Sequence, residues 1–326
     1  MMIKYRLTIS YDGTPHGGWQ RQSNFQKPCI QQVIEDALSS LFGTKITVLA
    51  SGRTDAGVHA IEQTIHFRSL KLLETADFCY SLNSLLPDSI ICRRAFIAPP
   101  HFHAMASAVS KIYRYRVYNA LRPSPLFRNV AQWVRTSLDL SELNALAAQI
   151  EGTHDFTSFK NSGTKTKHNV RTVFSAKWTC QPAWNHIESF PEKPLTACAD
   201  EKTKARSLNA VSGESAALIP LRQGEPAAMA AYEEPSFARS SLVEKIPLED
   251  RFYDFTIVGD GFLKQMVRNL VGTQIQLAVH KRPSNEIGRI LAAKDRKAAL
   301  KTAPAWGLYL VRVNYPEDLD KECREI

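Results

Sequence analysis

The chain has 326 residues, 44% of them apolar, and a formal charge of +9. That length accommodates two domains of ordinary size, and no apolar run approaches the ~18 residues that span a bilayer. The basic excess suits a polyanionic partner without naming one, and the N-terminus alternates like a strand where a signal peptide would be apolar, so the expected compartment is the cytoplasm.

Residues 3–11 alternate apolar and polar side chains, the period of a half-buried strand, and Asp12-Gly13 ends it. A polar, Gly-rich loop follows through Gln22. Pro28 then opens a helix whose apolar residues Ile30, Val33, Ile34, Ala37, Leu38 and Leu41 fall on one face, closed by Gly43. Strands are expected at 46–49 and 63–67, a weaker helix at 78–86 and a strand at 90–97. The second half starts near residue 105, with a strand at 109–118 in which tyrosines and arginines interleave. Asp139 and Glu142 make a capping box for a helix ending near Ile150. Further strands are expected at 171–179 and 252–258, a long helix at 262–280, a helix capped by Ser284 through Leu291, and a last strand at 308–313. Residues 181–247 are rich in Ala, Ser, Glu, Lys and Pro with little apolar periodicity, the composition of a long, mobile insertion. The pattern predicts an α+β (mixed α/β) fold with helices on one face of a sheet. It divides at residue 105: 1–105 form the N-terminal half and 106–326 the C-terminal half, the latter carrying the insertion.

The six cysteines, at 29, 79, 92, 180, 198 and 323, include no CxxC pair, which argues against a disulfide framework or a zinc site. His101 and His103 lie close together, but no cysteine or acidic residue nearby completes a metal set. No metal and no cofactor are expected.

Chemistry concentrates at 50–60, Ala-Ser-Gly-Arg-Thr-Asp-Ala-Gly-Val-His-Ala, between two strand-like runs. Gly52 and Gly57 can take positive φ, so the backbone can turn and hold Arg53 and Asp55 in fixed orientation. Taken alone, a G-R-x-D tetrapeptide is more often a surface turn with an exposed ion pair. The longer string GRTDAGVHA resembles the catalytic loop of the tRNA pseudouridine synthase A family. The similarity extends over most of 3–180 and 248–316: Tyr11-Asp12-Gly13 with Gly18 to Gln22, Phe102-His103-Ala104, Lys111 to Tyr115, Asp155 to Phe159, Met266-Val267-Arg268-Asn269 and Gly307 to Val311. Two departures are local. Gln265 stands where the family often has a histidine before the Met, and the 181–247 insertion is longer than usual.

The resemblance implies two ferredoxin-like halves whose antiparallel sheets join across a central cleft. It implies isomerisation of uridine to pseudouridine at positions 38, 39 and 40 of the tRNA anticodon stem-loop, by a homodimer that shares one tRNA. Asp55 is then the catalytic residue, acting as nucleophile or base; whether it attacks C6, attacks C1′ or removes a C2′ proton is open. Arg268 pairs with Asp55, and Tyr113 stacks on the uracil and assists proton transfer. Arg53 takes the displaced base's place or binds the flanking phosphate. Substrate contacts extend to Arg21, Lys111, Arg114, His59 and Leu308. A non-catalytic tRNA-binding or tRNA-folding protein on the same scaffold is the rival reading.

Overall fold

The computed structural model describes residues 2–21, 27–73, 78–163, 168–183, 250–283 and 285–326. Strand β1 (Ile3–Tyr11) puts Tyr5, Leu7 and Ile9, all fully buried, under the helices, as its alternation requires. Helix α1 (Ile30–Phe42) follows, with Ile30, Ile34, Ala37 and Leu38 facing inward; Pro28 stands two residues ahead of it. The expected strand at 46–49 is regular only as β2 (Leu49–Ala50). Ahead of it the amide of Val48 donates to the Glu35 carboxylate of α1 at 3.0 Å, where a strand would spend it on a ladder. Strand β3 (His59–Ser69), helix α2 (Phe78–Asn83) and strand β4 (Ile90–Ala98) complete the first half.

In the second half, β5 (Ser110–Asn119) carries a short parallel partner, β6 (Gln132–Val134). Helix α3 (Leu140–Ala148) is capped as expected, the Asp139 carboxylate accepting the Glu142 amide. Strands β7 (Gly152–Asp155), β8 (Val170–Pro182) and β9 (Arg251–Gly259) form antiparallel neighbours. Helix α4 (Met266–Val279) starts four residues later than its apolar pattern suggests, because 260–265 form a loop. Helix α5 (Glu286–Ala293) begins after Asn285, and Ser284 lies outside the described residues. Strand β10 (Leu308–Asn314) is followed by helix α6 (Glu317–Glu322) and strand β11 (Arg324–Glu325), which turn the charged tail back onto β4.

Eleven strands among the described residues make one mostly antiparallel sheet, ordered β11-β4-β1-β3-β10-β5-β9-β8-β7, with β2 on β3 and β6 on β5. Within each half the order is fourth-first-third-second: β4-β1-β3-β2, then β10-β5-β9-β8. That is the ferredoxin-like arrangement, and the molecule is a mixed α+β protein. The halves meet where β10 pairs in parallel with the start of β3, Tyr309 opposite His59 and Leu310 opposite Ala60. Apart from 181–183, the expected insertion at 181–247 lies outside the described residues. Its flanks are strand partners, Pro182 opposite Arg251.

Helix α4 lies against 301–303 at a distance only glycine allows. A Cβ on Gly272 would sit 2.0 Å from the Lys301 carbonyl oxygen and 2.7 Å from the Ala303 nitrogen. Gly272→Ala is therefore expected to lower stability by about 3 kcal/mol or more, read as a lower urea midpoint. An unchanged midpoint would mean that helix and segment part freely.

Candidate active site

The 51–58 loop leaves β2 and enters β3, and its backbone is tied down on every side. The Ser51 amide donates to the Thr64 carbonyl at 2.9 Å, the Gln63 amide group to the Gly52 carbonyl at 2.9 Å, and the Trp19 amide to the Thr54 carbonyl at 3.0 Å. The Tyr11 hydroxyl and Thr54 Oγ1 are 2.8 Å apart in the interior. Lys111 Nζ, on β5 beyond β10, donates to the Ser51 carbonyl at 2.7 Å. Gly57 has φ +79°, in the left-handed region, and makes the turn; Gly52 does not, and Lys111 Nζ lies beside it.

This anchored loop presents Asp55. Its Oδ2 accepts from Arg268 Nη1 on α4 at 3.0 Å, joining residues 213 apart in sequence. Arg268 Nε donates to the Ala303 carbonyl at 2.9 Å, and the Ala303 amide donates back to the Arg268 carbonyl at 3.0 Å. The guanidinium is thus aimed before the carboxylate arrives. The Asp55 side chain keeps 25% of its exposure and borders an open space.

That space is a cavity of about 820 Å³ lined by Arg53, Asp55, Lys111, Tyr113, Arg268 and Leu308 among others. Four of its lining residues are Lys or Arg (Arg53, Lys111, Lys264, Arg268), and among the described residues Asp55 is its sole carboxylate. Such a cavity favours a phosphate-bearing polyanion while offering one nucleophilic or basic oxygen. Tyr113, buried, packs edge-on against Phe262, with ring centroids 5.1 Å apart. Among the described residues its hydroxyl has no hydrogen-bond partner. Burial, then the nearby Tyr11 and Asp55, push its pKa well above the usual tyrosine value, so it is a neutral phenol at neutral pH. Burial also pushes Tyr11 up to about 12. Lys111 is shifted down, by desolvation first and by the positive charge of Arg171 second.

Three other residues expected to contact substrate do not line this cavity. Alternation along β5 puts Arg114 on the sheet face opposite Tyr113, beside Arg116, which makes a two-pronged ion pair with Asp254 at 2.8 Å. His59 is a joint: its ring stacks on Tyr309 at 4.8 Å, and its Nε2 reaches the carbonyls of Asn129 and Trp306 at 2.9 and 3.0 Å. Arg21 is exposed, 4.0 Å from the Glu35 carboxylate. Conversely, Trp19, Phe262 and Gln265 line the cavity and no role is assigned to them from the sequence. Gln265 has φ +62°, an uncommon backbone state for a side chain of this size and one that clusters at functional sites. The glycines at 259 and 261, crowding a turn just before the helix, are the one sequence signal for it.

Among the described residues, no group of three or more His, Cys, Asp or Glu is placed to hold a metal ion, and no helix is long and apolar enough to cross a membrane.

A model of the tRNA pseudouridine synthase family matches residues 7–105 and 146–316. A tRNA pseudouridine synthase A of Bdellovibrio bacteriovorus is 37% identical over the full length of both chains. The protein of that name from Ruminiclostridium cellulolyticum is 33% identical over 96% of this chain and all of its own. The one from Geobacillus kaustophilus is 33% identical over 98% of this chain and 96% of its own. With matches of that extent, the chain belongs to the tRNA pseudouridine synthase family and is an isomerase.

Proposed function

We propose that this protein converts uridine to pseudouridine at positions 38, 39 and 40 in the anticodon stem-loop of tRNA, with Asp55 as the catalytic residue. The observation that carries the reading is the Asp55–Arg268 pair at 3.0 Å, opening onto a cationic cavity that also holds Tyr113. The reaction breaks the N-glycosidic bond, turns the base and joins C5 to C1′, with a proton lost from C5 and one gained at N1. It needs a carboxylate kept ionised, a surface for the loosened base and a proton carrier. Arg268 supplies the first condition for Asp55, its guanidinium standing 3.0 Å from the carboxylate. The ring of Tyr113 supplies the surface, and its protonated hydroxyl is the group for the proton. Arg53, exposed at the rim and without a hydrogen-bond partner among the described residues, fills the gap left by the extruded base or holds its phosphate. Attack at C6, attack at C1′ and removal of a C2′ proton all need this carboxylate. The acting form is a cytoplasmic homodimer sharing one tRNA, an assembly that light scattering with and without tRNA measures directly.

Asp55→Asn keeps the shape and removes the charge. Single-turnover pseudouridine formation should fall below detection while tRNA affinity holds, since an anion has left a cationic cavity. The fold should lose at most about 3 kcal/mol, because Arg268 keeps the Ala303 carbonyl. Substantial residual isomerisation would overturn the assignment, and wild-type protein that binds tRNA without modifying it would favour a folding factor.

Tyr113→Phe separates ring from hydroxyl. Binding should stay within about twofold, while turnover falls by about 10²-fold or more if the hydroxyl moves the proton. Unchanged turnover would leave the residue a stacking surface only.

Binding should also weaken with salt, the log–log slope being about −0.7 to −0.9 per phosphate contacted. Lys111→Ala should lessen that slope by about one contact. A flat plot would mean that the cavity's cations do not meet RNA.

A further inference from the structure

Cys79 on α2 and Cys92 on β4 face each other with their sulfurs 3.7 Å apart. A second set of contacts fixes that approach. Asn83, one turn on from Cys79, clasps the backbone of Cys92 from both sides: its Oδ1 accepts the Cys92 amide at 2.7 Å, and its Nδ2 donates to the Cys92 carbonyl at 3.0 Å. Helix and strand therefore hold the thiols together without relying on the sulfurs. The two differ in access, Cys79 being half-buried and Cys92 only 2% exposed. They differ in acidity too. The hydrogen bond from the Cys92 thiol lowers the Cys79 pKa, while that same bond, with burial, raises Cys92 well above an ordinary thiol. Glu325, on the strand packed against β4, opposes the shift at Cys79 without reversing it. The accessible sulfur is thus the better nucleophile, and the protected one waits behind it.

We propose that Cys79 and Cys92 form a protective dithiol site, in which peroxide oxidises Cys79 and Cys92 captures the product as an intramolecular disulfide. The Cys79 thiol releases its proton and the thiolate attacks hydrogen peroxide: an S–O bond forms, the O–O bond breaks, and the departing hydroxide takes up that proton and leaves as water. Cys92 sulfur then attacks Cys79 sulfur: the S–S bond forms, the S–O bond breaks, and the second water carries away the Cys92 proton. Two thiols have lost two electrons and two hydrogens, and peroxide has taken them. Capture halts Cys79 before the irreversible sulfinic and sulfonic stages, and a dithiol reductant restores it. The loop closed is short, because the two residues are 13 apart.

The test is brief exposure of the full chain to hydrogen peroxide, alkylation, digestion without reductant and mass spectrometry. The wild type should give one linked peptide joining residues 79 and 92, lighter by the two thiol hydrogens and reversed by dithiothreitol. In Cys92→Ala the capture step is gone, so sulfinic and sulfonic acid at Cys79 should rise about tenfold over wild type. In Cys79→Ser, altered only at the accessible position, Cys92 should stay reduced. Linkage of Cys79 to another cysteine, equal over-oxidation with and without Cys92, or ready oxidation of Cys92 in Cys79→Ser would each overturn the proposal.

Discussion

Two residue pairs of parallel ladder, His59 with Tyr309 and Ala60 with Leu310, hold the two halves of the sheet in register. A parallel ladder this short is weak alone, and the surroundings reinforce it. His59 stacks on Tyr309 and reaches the Trp306 carbonyl, so one side chain bolts β3 to the approach of β10. Four residues before His59 stands Asp55. Upstream of Trp306 stands Ala303, whose backbone grips Arg268 at both ends. The same 301–308 stretch therefore sets the distance between halves and the aim of the guanidinium. The 3.0 Å separation of carboxylate and guanidinium follows from that seam.

Electrostatically the cleft is lopsided by design of its lining, four cationic side chains to one carboxylate. Taking a carboxylate out of water costs free energy, and the Arg268 guanidinium, 3.0 Å from Asp55, offsets that cost. Lys111 meets a comparable cost by leaning its ammonium on the Ser51 carbonyl, which also braces the loop. Tyr113 has no such partner among the described residues, and burial pushes its phenol pKa further above the usual value, so it keeps its proton. The site thus sorts its ionisable groups: one held negative, several positive, one neutral with a proton to exchange.

Much of this was written in the chain. The alternation of β1, the apolar stripe of α1 and the Asp139 cap follow from local rules and stand where those rules put them, whereas the Asp55 loop is singled out by family resemblance, local rules alone favouring a surface turn. What local reading missed depends on long-range geometry. Tyr113 and Arg114 are neighbours in sequence, yet the pleat sends them to opposite faces, so a basic–aromatic run became two surfaces. Residues 46–48 have strand composition, but Glu35 of another element takes the Val48 amide. The late start of α4 is invisible to periodicity, because Phe262 and Leu263 continue the apolar pattern while turning toward the cavity. His59 sits in the most telling motif, and its partners across the seam, the Asn129 and Trp306 carbonyls, are not visible in the motif itself.

At the far end of the β8–β9 pair, Pro182 lies opposite Arg251, and the Ala183 amide donates to the Asp250 carbonyl at 2.9 Å. The sheet is closed at that point whatever connects the two residues. The closing entropy of a connecting stretch grows only logarithmically, about 0.6 kcal/mol for each doubling of its length. Arg251 is six residues along β9 from Ile257, the partner of Tyr113, on the order of 20 Å from the chemistry. For the β8–β9 ladder itself, the length of chain joining its two ends is therefore a minor term.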